Sequence, residues 1–467
     1  MNTFATQDKR EGTLSDSSVK RLIVVGGVAG GMSAASQAKK RRPDLEVVVF
    51  ERGPWVSYGA CGMPYNIQDP NRPIDDLVVI TPERFRDERG IEVKLQHEVT
   101  QLNLSARKVR VKRQGAESEI QYDRLVLATG CRPIMPSFLG MDLEGVFVLH
   151  TLEHAGRIKH YLNDPALRRA VVVGGGHIGM EMADVLTARG LAVTILKRSE
   201  ALPSGYPAEI TSLVRAEVDR YGVEVRSGVK VLGFEGDTRV RKTQTDVGSI
   251  PADIVVVATG VVPEVSLAQD AGIQIGTSGA ISVDNYMCTS APDVFAAGDC
   301  AEAYHILLRQ GVFLPRGTTA NKQGRIAGAN VVGAKEHFPG VVGTSITKVF
   351  GLAVGHTGLF EAEARRAGFD PMATSIKAKT RAHAYPGAKD IVVRVVWEKA
   401  SGRILGAQLA GGEGVAKRLD VIVAAIYAGW TVEDLAQLDL SYAPPYAPVW
   451  DPILVAANVA RKKITGY

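Results

Sequence analysis

Four cysteines in 467 residues (Cys61, Cys131, Cys288 and Cys300) are too few and too irregularly spaced for a disulfide framework or a zinc site, and no metal is expected. No apolar run approaches the ~18 residues of a membrane span; the longest, around Val421 to Trp430, is about half that. Met1 to Lys20 is polar and lacks the apolar core of a signal peptide, so residues 1–20 read as a disordered extension and the protein as cytoplasmic, with reduced thiols. Charge of one sign is also scarce. Fifty-five basic against 50 acidic residues leave +5, which suits an anionic small molecule but is too slight and scattered for nucleic acid. Neither a nucleic-acid nor a membrane partner is expected. At about 150 residues per domain, the length predicts roughly three domains.

Glycine is in excess, 49 residues or about one in ten against a typical ~7%, and it clusters after apolar runs, where it marks backbone turns. Two segments share one grammar. Arg21 to Val25 reads as a buried parallel strand that breaks into Gly26-Gly27-Val28-Ala29-Gly30-Gly31, followed by a small-residue helix (Met32 to Ala38) and a strand, Glu46 to Phe50, ending at Glu51. Ala170 to Val173 breaks into Gly174-Gly-Gly176-His177-Ile178-Gly179, followed by a helix from Met180 to about Arg189 and a strand, Ala192 to Leu196. Both are the strand–turn–helix–strand context of a dinucleotide-binding turn. Leu125 to Gly130 is echoed by Val255 to Gly260 at a comparable offset, which points to an internal duplication. Beyond about residue 340 the texture changes. Val341 to Leu359 and Ile391 to Leu409 read as strands and turns, Val415 to Trp430 as an amphipathic helix, and Ser441 to Pro448 as a rigid extended loop, together a third, α+β domain.

Each glycine turn leaves backbone N–H groups at a helix N-terminus, where the helix dipole favours a pyrophosphate. Gly174, Gly176 and Gly179 fit the full pattern; Gly26 and Gly31 fit its ends, with Val28 where the middle glycine would be. At the end of the second strand Glu51 offers an acceptor for a ribose 2′-OH, whereas the equivalent place in the second unit holds Lys197 and Arg198. That basic pair would suit a 2′-phosphate and leans the cofactor toward NADPH over NADH; solvated surface charge is the alternative. Cys61 lies just past the first unit, between glycines and ahead of Pro64. A helix starting near it would favour the thiolate, the form that attacks disulfides.

The order of first turn, Ser57-(x)3-Cys61-Gly-(x)-Pro-Tyr65, Ala128-Thr129-Gly130, second turn, Ala258-Thr259-Gly260 and Thr289 to Asp299 resembles the FAD- and NAD(P)H-dependent pyridine nucleotide–disulfide oxidoreductases over about residues 20–465. It is most similar to their single-cysteine branch: coenzyme A disulfide reductases, persulfide or polysulfide reductases, and NADH oxidases and peroxidases. The resemblance implies an α/β fold with two Rossmann-like nucleotide-binding domains and a C-terminal α+β dimerisation domain. The boundaries would be FAD at 21–140 and 270–340, NAD(P)H at 141–269, and dimerisation at 341–467. It assigns FAD to Gly26 through Gly31, Glu51, Arg52, Ser57, Ala128, Thr129, Gly130, Gly298, Asp299 and Thr318, with Asp299 on the ribityl chain. It assigns NAD(P)H to Gly174, Gly176, His177, Ile178, Gly179, Glu181, Lys197, Arg198, Thr259 and Gly260. His177 then stands at the usual aromatic gate and Glu181 meets the nicotinamide amide.

Departures sort the members. Glutathione-reductase-like enzymes carry two cysteines four residues apart and a C-terminal His-(x)4-Glu pair; here Cys61 is alone and the last histidine is His383, which excludes that chemistry. Flavin peroxidases and many oxidases carry a histidine in the first turn, where this chain has Ala29. Coenzyme A disulfide reductases are similar in having alanine there, a pair like Tyr385-Pro386 and a loop like Tyr442 to Tyr446. The resemblance implies that Cys61 is the redox cysteine, held with coenzyme A as a mixed disulfide, with Tyr385 and Tyr442 reaching across a homodimer to protonate the leaving thiolate. Gln37, Lys40, Ser57, Tyr58 and Tyr446 would contact a coenzyme A-based disulfide or persulfide, although Lys40 belongs to a basic run that reads equally as a solvated helix face. No rhodanese-like domain is expected after Tyr467. Two other functions stay open: an NAD(P)H oxidase cycling Cys61 through a sulfenate, and a redox-sensing flavoprotein that binds a partner.

Overall fold

The computed structural model describes residues 19–465. Residues 1–18 of the expected N-terminal extension lie outside the described residues. Val19 is buried in the first core and the Lys20 amide donates to Asp123 Oδ2 at 2.8 Å, so the last two residues of the expected extension belong to the fold. Among the described residues no helix is long and apolar enough to cross a membrane.

Two five-stranded parallel sheets have matching topology. The first runs Val294–Ala296, Arg124–Leu127, Arg21–Val25, Glu46–Glu51, Ile91–Leu95. The second runs Val146–Val148, Ile254–Val257, Arg169–Val173, Ala192–Leu196, Glu224–Arg226. Central strands are buried on both faces, which is why Leu22 to Val25 and Val171 to Val173 read as unbroken apolar runs rather than alternating ones. Each unit also carries a three-stranded antiparallel sheet, 98–121 in the first and 231–251 in the second. The repeat read from the glycine turns therefore extends to whole units. Val146–Val148 takes the edge that Val294–Ala296 takes in the first sheet, although it precedes its own unit's glycine turn.

Both helices that follow the turns begin earlier than the sequence indicates, at Ala29–Arg41 and His177–Ala188, because the last glycines of each turn already adopt helical geometry. Helix Ala29–Arg41 packs against Gly317–Val331 at backbone distance. A Cβ on Gly324 would sit 2.2 Å from Gly30 O, and one on Gly328 2.2 Å from Ala34 O. This contact carries the second stretch of the first unit back onto its glycine turn.

The C-terminal sheet is antiparallel, in the order Ser345–Val349, Leu352–Gly358, Ile404–Gly411, Asp390–Glu398, Pro371–Lys379. Strand Pro371–Lys379 is absent from the sequence reading. Helices Val415–Ala428 and Pro452–Thr465 pack on this sheet. The loop 441–448 is not extended throughout. Tyr446 and Ala447 turn their N–H groups back to Ala443 O at 2.9 and 3.1 Å, satisfying a carbonyl that the two prolines cannot serve.

Candidate active site

The first glycine turn is fixed by sterics that only glycine meets. Gly26 has φ +107° and a Cβ there would lie 2.1 Å from Ala128 O; on Gly31 it would lie 1.9 Å from Gly26 O. Glu51 braces the turn, accepting from Gly27 N–H at 2.7 Å with Oε2 and from Gly53 N–H at 2.8 Å with Oε1. Each oxygen keeps a second lone pair for a ribose hydroxyl. Helix Ala29–Arg41 has no side-chain cap, so its first N–H groups remain for an anion. Opposite, Gly298 has φ +84° and Asp299 accepts from Arg316 N–H and from Cys131 Sγ at 3.6 Å. Burial holds the Asp299 carboxyl above its usual range. Gln323, fully buried, ties this turn to the following helix through Gly298 N–H at 3.0 Å and Glu302 O at 2.8 Å. These residues fit FAD.

The second turn repeats the pattern. Gly174 has φ +119° with its Cβ position 2.2 Å from Ala258 O, and Gly179 would meet Gly174 O at 2.0 Å. Gly176, by contrast, faces open space: a Cβ there meets nothing within 4 Å. The helix it starts is also uncapped, so a dinucleotide pyrophosphate has both room and donors. Thr129 and Thr259 spend their hydroxyls on crossing contacts between the units, Thr129 on Glu264 O at 2.6 Å and Thr259 on Ile134 O at 3.1 Å. Gly130 and Gly260 carry positive φ, Ile178 and Thr318 are exposed at their helix starts, and Arg52 is exposed, its charge acting on Tyr58. The basic pair splits. Lys197 is only 5% exposed and its ammonium donates to Ser199 O, Ser199 Oγ and Ala201 O, whereas Arg198 is exposed. Lys197 is thereby spent on its own loop.

Cys61 is exposed, in the 3-10 turn Ala60–Gly62 that leads into helix Met63–Gln68. A helix does begin where the sequence reading placed one, but it does not win the thiolate. Partial burial first, then the carboxylates of Glu181 and Asp299, push the Cys61 thiol up, and a helix of six residues is too short to offset them. The opposing group is Arg316. This arginine precedes helix Gly317–Val331, its Nε is buried without a partner, and it also acts on His177 and His356. Burial keeps both imidazoles neutral at ordinary pH, His177 at about 4 and His356 at about 3. His356 Nδ1 pairs with Tyr206 OH at 2.9 Å. Glu181 accepts from Tyr65 OH at 3.2 Å, which links the helix after Cys61 to the helix after the second turn.

Arg316, Tyr206, His356 and Gln323 were not found by sequence reasoning, since none lies in a motif; Tyr65 does, four residues after Cys61, and that spacing was its signal. Ser57 is held in left-handed backbone (φ 50°), a conformation costing about 1–3 kcal/mol for a non-glycine. Its N–H donates to Gly27 O at 2.8 Å, and Ser57 O accepts from Val79 N–H at 2.8 Å. Burial, then Glu51, pushes the neighbouring Tyr58 phenol up to about 12.

A cleft of about 870 Å³ gathers Val28, Ala29, Gln37, Lys40, Ser57 and Tyr58. Met32, Val79, Ile80 and Phe85 give it apolar walls, and Lys39, Lys40, Arg89 and Arg325 add cations against the single carboxylate of Glu88. Arg89 stacks over Phe85 at 5.3 Å and donates to Ser36 Oγ at 3.0 Å. Tyr385, Tyr442 and Tyr446 lie apart from this cleft and are 38, 50 and 78% exposed. Their loops touch through Ala382 N–H and Pro444 O at 3.2 Å, and Val449 and Trp450 continue the exposed apolar face.

The pyridine nucleotide-disulphide oxidoreductase family matches residues 20–326, and its dimerisation domain matches 344–452. An NAD(P)H coenzyme A polysulfide/persulfide reductase of Pyrococcus horikoshii is 39% identical over 95% of this chain and 98% of its own length. An NADH oxidase of Enterococcus faecalis is 31% identical over 95% of this chain and 100% of its own length. The solved structure of an NAD-dependent persulfide reductase from A. fulgidus superposes with a TM-score of 0.93 at 38% identity, covering 96% of this chain and 84% of that one. Two duplicated nucleotide-binding units, an exposed cysteine after the first glycine turn and a matching third domain place this chain among the pyridine nucleotide-disulphide oxidoreductases.

Proposed function

We propose that this chain is an FAD-dependent NAD(P)H:disulfide oxidoreductase with Cys61 as its single redox cysteine. Its substrate would be coenzyme A disulfide or a coenzyme A persulfide or polysulfide, reduced through a Cys61–S–S–CoA mixed disulfide. The observation that carries the reading is the cleft beside Ser57 to Gly59, two residues from Cys61, whose apolar walls and four cations, set against one carboxylate, suit a long thiol with a phosphorylated nucleotide end. Ala29 in that cleft leaves no histidine in the turn for peroxide chemistry, and the polysulfide/persulfide reductase of Pyrococcus horikoshii supports the same substrate class. The domain limits read from the sequence, a homodimer and a cytoplasmic location are part of this reading.

FAD held by residues 26–31, Glu51 and Asp299 would supply two-electron transfer between the nicotinamide nucleotide and sulfur. Cys61 Sγ, as thiolate, attacks the substrate S–S bond. A new S–S bond forms to one half of the substrate, the old bond breaks, and the other half departs as a thiolate that takes a proton. Two electrons then return the mixed disulfide to two thiols. Arg316 favours the Cys61 thiolate against Glu181 and Asp299. Tyr385 and Tyr442 of the partner subunit would donate to the departing thiolate as uncharged phenols. Of the basic pair, Arg198 is the exposed cation, and the preference for NADPH rests on it.

Cys61→Ser is expected to abolish disulfide reduction while NAD(P)H still bleaches the flavin; full reductase activity in this variant would overturn the reading. The intact mass before and after reductant gives a second test. A loss near the mass of coenzyme A, mapped to Cys61, supports the mixed disulfide, whereas a gain of one oxygen there favours the oxidase.

A further inference from the structure

The helix that carries His177 and Glu181 is pinned from outside its own domain. Ser345 Oγ lies 2.7 Å from His177 Nε2, and Thr347 Oγ1 donates to Glu181 Oε1 at 3.3 Å. Both hydroxyls sit on Ser345–Val349, an edge strand of the C-terminal sheet. The two geometries mesh: residues two apart on a strand are about 6.6 Å apart on one face, and residues four apart on a helix advance about 6 Å on one face. The strand alternates accordingly, with Ser345 5% and Thr347 7% exposed while Ile346 between them is 44% exposed. One turn further along the helix, Asp184 pairs with Lys348 of the same strand.

Glu181 receives both of its donors, Tyr65 OH and Thr347 Oγ1, on the same oxygen, Oε1. Among the described residues, Oε2 takes no hydrogen bond and is left to accept one from outside. Glu181 and its two donors, Tyr65 and Thr347, line a cleft of about 410 Å³ together with Lys348 and others. An ionised carboxylate accepts at both oxygens, so fixing one of them aims the other.

We propose that Ser345 and Thr347 are positioning residues for the nicotinamide nucleotide: from the C-terminal sheet they hold His177 and Glu181 in the poses that receive its nicotinamide end. This rests on the reading that the second glycine turn binds the nucleotide and that Glu181 meets the carboxamide. It adds that the affinity for the nucleotide is set partly by a domain that does not contain the glycine turn.

The test uses the flavin-loaded enzyme, reduced beforehand and kept anaerobic so that it takes up no further hydride, and measures the Kd for NAD(P)H by fluorescence titration, alongside the KM of each substrate in turnover. Thr347→Val keeps the shape and removes the donor, and Ser345→Ala removes the other hydroxyl. Each is expected to weaken nucleotide binding about fivefold, with Thr347→Ser restoring it and the KM for the sulfur substrate unmoved. A Kd within about twofold of the parent in both variants would overturn the proposal, since the net loss of even a neutral hydrogen bond exceeds that. Equal losses for both substrates, or a falling flavin content, would overturn it too by marking a general structural role. Glu181→Gln separates the proposal from the reading beneath it. If Glu181→Gln leaves the Kd unchanged, the placement of Glu181 at the nicotinamide fails and the proposal with it; if it raises the Kd while Thr347→Val does not, only the positioning role fails.

Discussion

Two glycines of the second turn, two residues apart, should respond to the same substitution in opposite ways. At Gly174 an added methyl meets a φ of +119° and the Ala258 carbonyl oxygen at 2.2 Å, about 1 Å inside ordinary contact. The positive φ costs about 1–2 kcal/mol and forcing the strand end away about 1–3 kcal/mol more, so Gly174→Ala should lose about 2–5 kcal/mol of stability. At Gly176 the backbone has φ −81° and ψ −172°, which alanine adopts freely, and its Cβ meets nothing within 4 Å. The loss of conformational freedom in the unfolded chain roughly offsets the poorer cap, so Gly176→Ala should change stability by less than about 1 kcal/mol. That methyl does stand where the pyrophosphate must approach the backbone, and the KM for NAD(P)H should rise about tenfold or more with flavin content intact. Urea melts and nucleotide titrations on the two variants decide the matter. Parental nucleotide affinity in Gly176→Ala would refute the assignment of this turn to the dinucleotide. A stable Gly174→Ala would refute the steric argument.

The basic pair should separate in the same way. Arg198→Ala should raise the KM for NADPH several-fold while leaving that for NADH alone, whereas Lys197→Ala should mainly lower Tm, because its ammonium serves three acceptors of its own loop; the reverse pattern would reassign the pair. Acid stability should report the buried histidines. His305, His177 and His356 stay neutral in the fold, at about 4, 4 and 3, but take up a proton near 6.5 once unfolded. The unfolded chain therefore binds more protons, and stability that is fully present above pH 6.5 falls as pH drops, by at most about 1.4 kcal/mol per pH unit for each histidine. Denaturant midpoints measured between pH 6.5 and about 5, above most carboxylate titrations, should decline steadily, and a flat profile would show that these rings are not buried as described.

The sequence made the site partly legible because its strongest signals are local. Gly26 and Gly174 carry a positive φ, and a Cβ on Gly31 or Gly179 would strike the carbonyl oxygen five residues back, so these demands are local and the turns and their duplication could be read directly. The lone cysteine with its Pro64 and Tyr65 was equally visible. Strand Pro371–Lys379 was missed because it mixes polar and apolar residues along its length, and its assignment comes from nine-residue pairing with Asp390–Glu398. The ionisation of Cys61 was misread because helix position was weighed without Glu181 and Asp299, which approach from far along the chain.

By itself, then, the sequence determined two dinucleotide turns, a single candidate redox thiol between them, a basic and apolar segment near it, and a third domain of different texture. Tertiary structure decided which way the side chains face. It turned Lys197 into its own loop and left Arg198 outside, spent Thr129 and Thr259 on joining the two units, and set Arg316 against the carboxylates around Cys61. It also brought Ser345 and Thr347 onto His177 and Glu181. The physical reason is range: the positive φ of a turn and its contact with the carbonyl five residues back are set within a few residues, whereas the partner of a polar side chain is whichever distant segment the packing brings within about 3 Å.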